Sequence, residues 1–393
     1  MANEHIGRLE IIGLGKESSA GTPVSADAWV PKMEGSFQPM TEKAKDVSAY
    51  GNITELRDSQ TVKQMTEITL KGVMRDIYGG HFLMAAFGQD TITLKVTLAS
   101  VVGSFTVGET VTGGTSGATG VVKRKEGTTT MYITIASGTF TVGAGETITG
   151  GTSGATATAT YATGVRNHFF QLLNTNNHPA YTLYGVDSVG TYRSSYCLLD
   201  SLEFELATGN FLTFSAKYVG KKEESTSASP AFSTEENHFL AVHANLYLAT
   251  ALSGLSAASA TKVTSMKMTI QKNVEEYMAF GSVDVDSLHN KQFKVFGEIT
   301  ALFQSTTLKD LELNSSKRAM RLKLINSDAS IGSANATSPE IVIEMAQVSF
   351  EKWTKQGGND DLVMQTLGFE AEFSVDDSES IIAFLQNTKT TTY

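Results

Sequence analysis

The chain has 393 residues, 41% of them apolar, and a formal net charge of −10. This length suits two or three domains with real cores and excludes a globally disordered chain. The acidic balance argues against the usual nucleic-acid-binding mode, in which Lys and Arg neutralise phosphates, and a single cysteine, Cys197, excludes an intrachain disulfide.

Glycine is plentiful and proline scarce, at 35 against 6. Thr and Ser recur in alternating strings, as in strands with one wet face. Met1-Ala2-Asn3-Glu4-His5 opens with no basic segment and no apolar stretch. No run approaches the ~20 apolar residues of a membrane helix. The expectation is synthesis and assembly in a cytoplasm, without membrane insertion.

In chain order, residues 7–30 read as an arm with one strand, Leu9-Glu10-Ile11-Ile12. Residues 31–75 read as two long strands joined by a polar connection over 41–61, and alternation is clear in Thr66-Glu67-Ile68-Thr69-Leu70. Ile77, Phe82, Leu83, Ala86 and Phe87 approximate helical spacing and predict a short amphipathic helix. Strands resume at 168–173, 180–184, 201–206 and 212–218, the last two joined by a turn at Ala207-Thr208-Gly209-Asn210. A polar linker follows. Beyond it, strands are expected at 262–270, 293–301, 318–325, 342–350 and 362–373, with a short helix near 306–313.

One block occurs twice. Thr66-Glu67-Ile68-Thr69-Leu70 returns as Gly297-Glu298-Ile299-Thr300-Ala301, with Tyr50-Gly51 and Phe280-Gly281 ahead of them. Such a duplication implies two similar domains able to take equivalent places in a symmetric assembly. The expected division is 1–90 with 164–222 as a first, discontinuous domain, 91–163 as an inserted β-repeat decoration, 223–234 as linker, and 235–393 as a second domain. The insertion has its own repeat: 103–119 returns as 138–156 with two extra residues. Each copy holds little apolar surface, so the pair must lean on each other or on the main body.

Chemistry is hard to place. His238 and His243 are five apart, which does not match the i, i+4 metal pattern. The glycines of the insertion lack the lysine and helix of a phosphate loop, and no nucleophile elbow is present. Glu275-Glu276, Asp360-Asp361 and Asp376-Asp377 are adjacent, so on strands they face opposite ways. No enzyme and no cofactor are expected.

Three stretches carry a family resemblance. They are Gly15-Lys16-Glu17-Ser18-Ser19-Ala20-Gly21-Thr22-Pro23-Val24 with Trp29-Val30-Pro31-Lys32, the segment Phe170 to Tyr184 with its Asn-rich His178-Pro179 stretch, and the closing pair Leu199 to Lys222. In these the chain resembles the major tail tube protein of long-tailed bacteriophages. The resemblance implies a mainly β fold, with two tandem tail-tube β-sandwich or barrel domains, each with a short helix, besides the inserted repeat. It implies a virion protein whose subunits stack as rings into a hollow tube, with DNA passing through the lumen unbound. Its partners would be copies of itself, the tape measure protein, and the tail terminator and tail tip proteins. Two tube domains per chain imply three chains per pseudo-hexameric ring. Inter-ring contacts are assigned to the 41–61 connection, with Lys43, Lys45, Asp46, Glu55, Arg57 and Asp58, and to its counterpart 272–290, with Glu275, Glu276, Asp284 and Asp286. Excising 91–162 is expected to leave tube formation intact. The alternative is a phage or cell-surface fibre whose inserted repeat binds a ligand; only Phe105, Tyr132 and Phe140 are available there for stacking on sugar.

Overall fold

The computed structural model describes residues 6–141, 145–234 and 236–393, so the readings at Met1 to His5 and at Val142 to Ala144 fall outside it. The first half supplies β1 (Ile11–Lys16), β2 (Ala28–Val30), β3 (Lys32–Asp46), β4 (Asp58–Val73), helix α1 (Gly79–Phe87) and β5 (Gly88–Val102). Five short strands follow: β6 (Thr110–Gly113), β7 (Thr119–Glu126), β8 (Thr130–Ser137), β9 (Glu146–Gly150) and β10 (Thr156–Thr160). Then come β11 (Arg166–Leu172), β12 (Tyr181–Val186), β13 (Thr191–Ala207), β14 (Thr213–Gly220) and β15 (Glu224–Ser225). The second half supplies β16 (Ala244–Ala249), β17 (Ala260–Thr261), β18 (Ser265–Gln271), β19 (Val274–Tyr277), β20 (Ser287–Asn290) and β21 (Lys294–Leu302). It closes with helix α2 (Thr307–Leu313), β22 (Arg318–Ile325), β23 (Glu340–Gln356), β24 (Met364–Glu372) and β25 (Ile381–Asn387).

The same antiparallel pairing scheme occurs twice. In the first half β1 pairs with β2 and β12, β12 with β13, β13 with β14 and β15, and β14 with β4, which holds β3. In the second, β16 pairs with β17 and β22, β22 with β23, β23 with β24 and β25, and β24 with β21, which holds β18. β13 and β23 are the corner strands. Each shifts register part-way along and serves two sheets, as bulged strands do when a sheet turns.

The halves are joined through strands. β13 pairs with β18, Phe204 opposite Met268, so one sheet runs β3-β4-β14-β13-β18-β21-β24-β23. Across it Gly72, Phe214 and Phe204 are cross-strand neighbours, and so are Gly297, Phe369 and Phe350. Each glycine faces a ring: a Cβ on Gly72 would lie 3.0 Å from Phe214, and one on Gly297 would lie 2.7 Å from Phe369 and 2.1 Å from the Lys267 carbonyl. The packing therefore sets Gly72 against Gly297, whereas the sequence match sets Thr66 against Gly297. The alternating Thr-rich pattern identifies the strand, but only the glycine–ring contact fixes its register.

Helix α1 lies where it was expected, but it is not amphipathic: all nine of its residues are buried, His81 included. A helix buried on every side belongs inside, and α1 packs against β5, β11, β13 and β25, stopping at Gly88, whose φ is +88°. β25, which the sequence reading missed, inserts between β11 and β23. Beyond it Tyr393 is buried against His81 and His168, with ring centroids 5.0 and 4.7 Å away. Its hydroxyl donates to the Ile77 carbonyl at 2.6 Å, in the turn that opens α1.

The inserted strands close a six-stranded barrel in the order β5-β8-β7-β6-β9-β10 and back to β5. Val96, Val111, Val122, Ile133, Ile148 and Ala157 fill it. The two repeats thus share one core. Glu109, in the first, accepts hydrogen bonds from the Thr152 and Ser153 amides and the Ser153 hydroxyl of the second. Glu146 accepts the matching bonds from Thr115 and Ser116 of the first.

The barrel also packs on the second half. Tyr132 stacks on Phe384 at 4.9 Å, in a cluster with Phe169, Val342 and Ile382. Beside it Lys95 pairs with Glu340, Arg124 with Glu344, Arg321 with Glu344 and Glu126, and Lys323 with Glu126 and Glu340. Burial alone would raise the Glu126 carboxyl; Lys323 and Arg321 hold it at about 2.

Candidate functional site

The expected 41–61 connection is strand at both ends. β3 and β4 stay paired out to Asp46 opposite Asp58, leaving 47–57 as the loop at the tip of a long hairpin. From Thr41 outward nearly every residue of β3 is exposed, Lys43 and Lys45 among them. The pairing is local, so polar strands persist without a buried face. The tip carries Glu55, Arg57 and Asp58 beside exposed Val47, Tyr50, Ile53 and Leu56. Arg57 lies 3.9 Å over the Tyr50 ring and 3.6 Å from Asp46. Hydrogen bonds from Ser48 hold the Asp46 carboxyl below its ordinary range, and Gln60 does the same for Asp58.

The second connection is built differently. β19 and β20 form a separate ribbon that folds back on the first half, with Val285 and Leu288 buried against Ala180, Leu198 and Val219. Glu276 pairs with Lys63 on β4, and Asp284 pairs with Lys222 at 2.9 Å. Glu275 meets Lys291 at 2.9 Å, and the Asp286 amide donates to the Tyr277 carbonyl at 3.0 Å. The ten candidate residues are therefore not brought together: six lie on a projecting hairpin, four on a ribbon folded against the chain's own first half.

Sequence reasoning did not find the open strand edges. Among the described residues β3 pairs only with β4, and β23 beyond Val348 pairs only with β24. These strands stand where β18 and β13 stand at the internal joint. The solvent face of the shared sheet carries Glu67, Glu203, Glu205, Glu298, Glu351 and Glu370 against Lys71, Lys217, Lys267 and Lys294. The lysines are partly spent in the pairs Lys217–Glu67, Lys267–Glu203 and Lys294–Glu370.

The remaining polar candidates have structural partners. Glu17 accepts from the Gly21 amide at 2.6 Å, the Thr182 hydroxyl at 2.8 Å and the Tyr196 amide at 2.8 Å, fixing the loop after β1. Burial pushes the Cys197 thiol up to about 12, which makes it a poor nucleophile. His243 faces Asp328 at 3.2 Å. No group of His, Cys, Asp and Glu suited to a metal occurs among the described residues.

Large antiparallel sheets with two open strand edges, and polar groups tied into the fold, define the class as a mainly β protein. The family model for the phage tail tube protein matches residues 7–371, across both halves and the barrel, and the chain belongs to that family. It is a structural component of the phage tail that assembles with its own copies into the tube. None of the curated proteins matches it.

Proposed function

We propose that three chains close a pseudo-hexameric ring, and that stacked rings form the tube through which DNA is ejected. The observation that carries this reading is the β13–β18 joint. Its two strands have topological counterparts in β23 and β3, and those are the strands with an open edge. An unpaired edge is a ready template for another chain, and a head-to-tail contact closes when its rotation closes. Pairing β23 of one chain with β3 of the next repeats the internal joint and leaves the shared sheet without a free edge.

In this arrangement the two tandem tube domains occupy alternate positions, and the acidic sheet face lines the lumen, where like charge keeps DNA moving. The β3–β4 hairpin, with its apolar tip, reaches the adjacent ring. The tape measure protein fills the lumen before DNA does, and terminator and tip proteins cap the ends. Each chain contributes one barrel, which gives three outer lobes around a nearly six-fold wall. Electron-microscopic averaging of tubes made from the purified protein tests this: a hollow tube with three peripheral lobes per ring is expected, and six lobes, or fibres without a lumen, overturn it.

A further inference from the structure

The segment after β11 and the stretch entering β21 wall a cavity of about 290 Å³ on the seam between the two halves, lined by Leu172, Asn174, His178, Lys272, Asn290 and Lys291 among others. Lys272 enters from the end of β18 and is 1% exposed. Its ammonium donates to the Ala85 carbonyl, 2.6 Å away in the last turn of α1. Burial is the one influence on its charge and lowers its pKa to about 7. Both side-chain polar atoms of Asn290 are shut from solvent without a partner, and so is Nδ1 of His178. Nε2 of His178 is 2.9 Å from the Leu173 carbonyl and donates to it, so Nδ1 is left as an acceptor. At the rim, Lys291 is paired with Glu275.

A buried ammonium without counter-charge and a buried amide without a partner are each unfavourable. A small oxyanion answers the ammonium and the amide N–H, giving a negative charge to Lys272 and acceptor oxygens to Lys272 and Nδ2 of Asn290. Hydrogen phosphate also brings the O–H that the Nδ1 of His178 lacks. We propose that this cavity binds a small oxyanion, with Lys272 and Asn290 as its principal ligands. The inference rests on the cavity of a single chain and is independent of ring stoichiometry.

The test is thermal unfolding and phosphorus NMR titration of the full chain, kept dilute and unassembled, with inorganic phosphate against sodium chloride of equal ionic strength. Acetate forms the carboxylate arm. A saturable rise in Tm with phosphate is expected, at least tenfold weaker in affinity for Lys272→Met and weakened for Asn290→Ala, each variant read against its own phosphate-free Tm. An equal rise with acetate assigns the occupant to small oxyanions generally, while a larger one with phosphate assigns it to phosphate. Equal shifts in chloride, or a phosphate response preserved in both variants, overturn the proposal.

Discussion

Glu109 and Glu146 each fasten the repeat that the other belongs to. Either carboxylate accepts two backbone amides and a hydroxyl from the Thr-Ser turn of the opposite copy, and a third amide from its own, Thr106 or Thr141. The exchange makes a closed barrel from two units that bury little alone.

Glu109→Gln and Glu146→Gln are each expected to cost about 1.5–3 kcal/mol of barrel stability, the range for bonds to a charged acceptor. Burial works to raise both carboxyls, yet the amide and hydroxyl bonds hold them below their ordinary value. A depressed folded pKa contributes stability above the unfolded pKa and loses it as pH falls through the folded one. Hydrogen-exchange protection of the peptides over 103–156, relative to the unfolded chain at the same pH, should therefore fall in acid for the parent chain, and at pH 7 already in either variant. Unchanged protection in both would refute the exchange as a stabilising device.

Lys272 gives the opposite pH signature. Its folded pKa is lowered to about 7 from an ordinary 10.5, so the burial cost is complete below 7 and is relieved as pH rises toward 10.5. The parent chain should gain a few kcal/mol across that window in phosphate-free buffer, and Lys272→Met should show a flatter profile. Denaturant midpoints at pH 7 and 9.5 decide the matter.

The internal joint predicts the register between chains. Glu203 faces Thr269 across β13 and β18. Matching Phe204 to Phe350 and Gly72 to Gly297 places Ser349 of one chain opposite Glu34 of the next. A Glu34→Cys, Ser349→Cys double variant should form interchain disulfides on mild oxidation and give a ladder that stops at three chains. Cys197 is buried and stays out of the reaction. A ladder running past three, or no crosslink in tubes of normal appearance, counts against this register.

Tyr132 should matter beyond the barrel. Tyr132→Ala removes the ring stacked on Phe384 and is expected to cost about 3–5 kcal/mol, with faster exchange in β25 as well as β8. Excising 91–162, expected from sequence to be harmless, would uncover Phe169, Val342, Ile382 and Phe384 and deprive Glu340 of Lys95 and Glu344 of Arg124. Excision should yield aggregates unless that face is made polar.

Strands were legible where apolar and polar residues alternate: β22 was read at its observed bounds, and β4, β14 and β21 close to theirs. α1 was located by its apolar spacing, but its burial on every side depends on β25 and Tyr393, hundreds of residues away, which no local pattern announces. The polar ends of β3 and β4 read as loop because their pairing needs no core. At the candidate site, charge located both connections, yet nothing local distinguished the free hairpin from the ribbon held by Lys63 and Lys222. The open edges of β3 and β23 became visible only beside the paired edges of β13 and β18.

That β13–β18 joint has a kinetic consequence. Because both strands belong to one chain, the contact forms at a local concentration set by the tether, not by the number of molecules in the cell. In the proposed ring every second joint is complete once its chain has folded, and only the β23–β3 contacts depend on encounter. Diluting the protein should therefore slow ring closure as a meeting of three bodies, never of six.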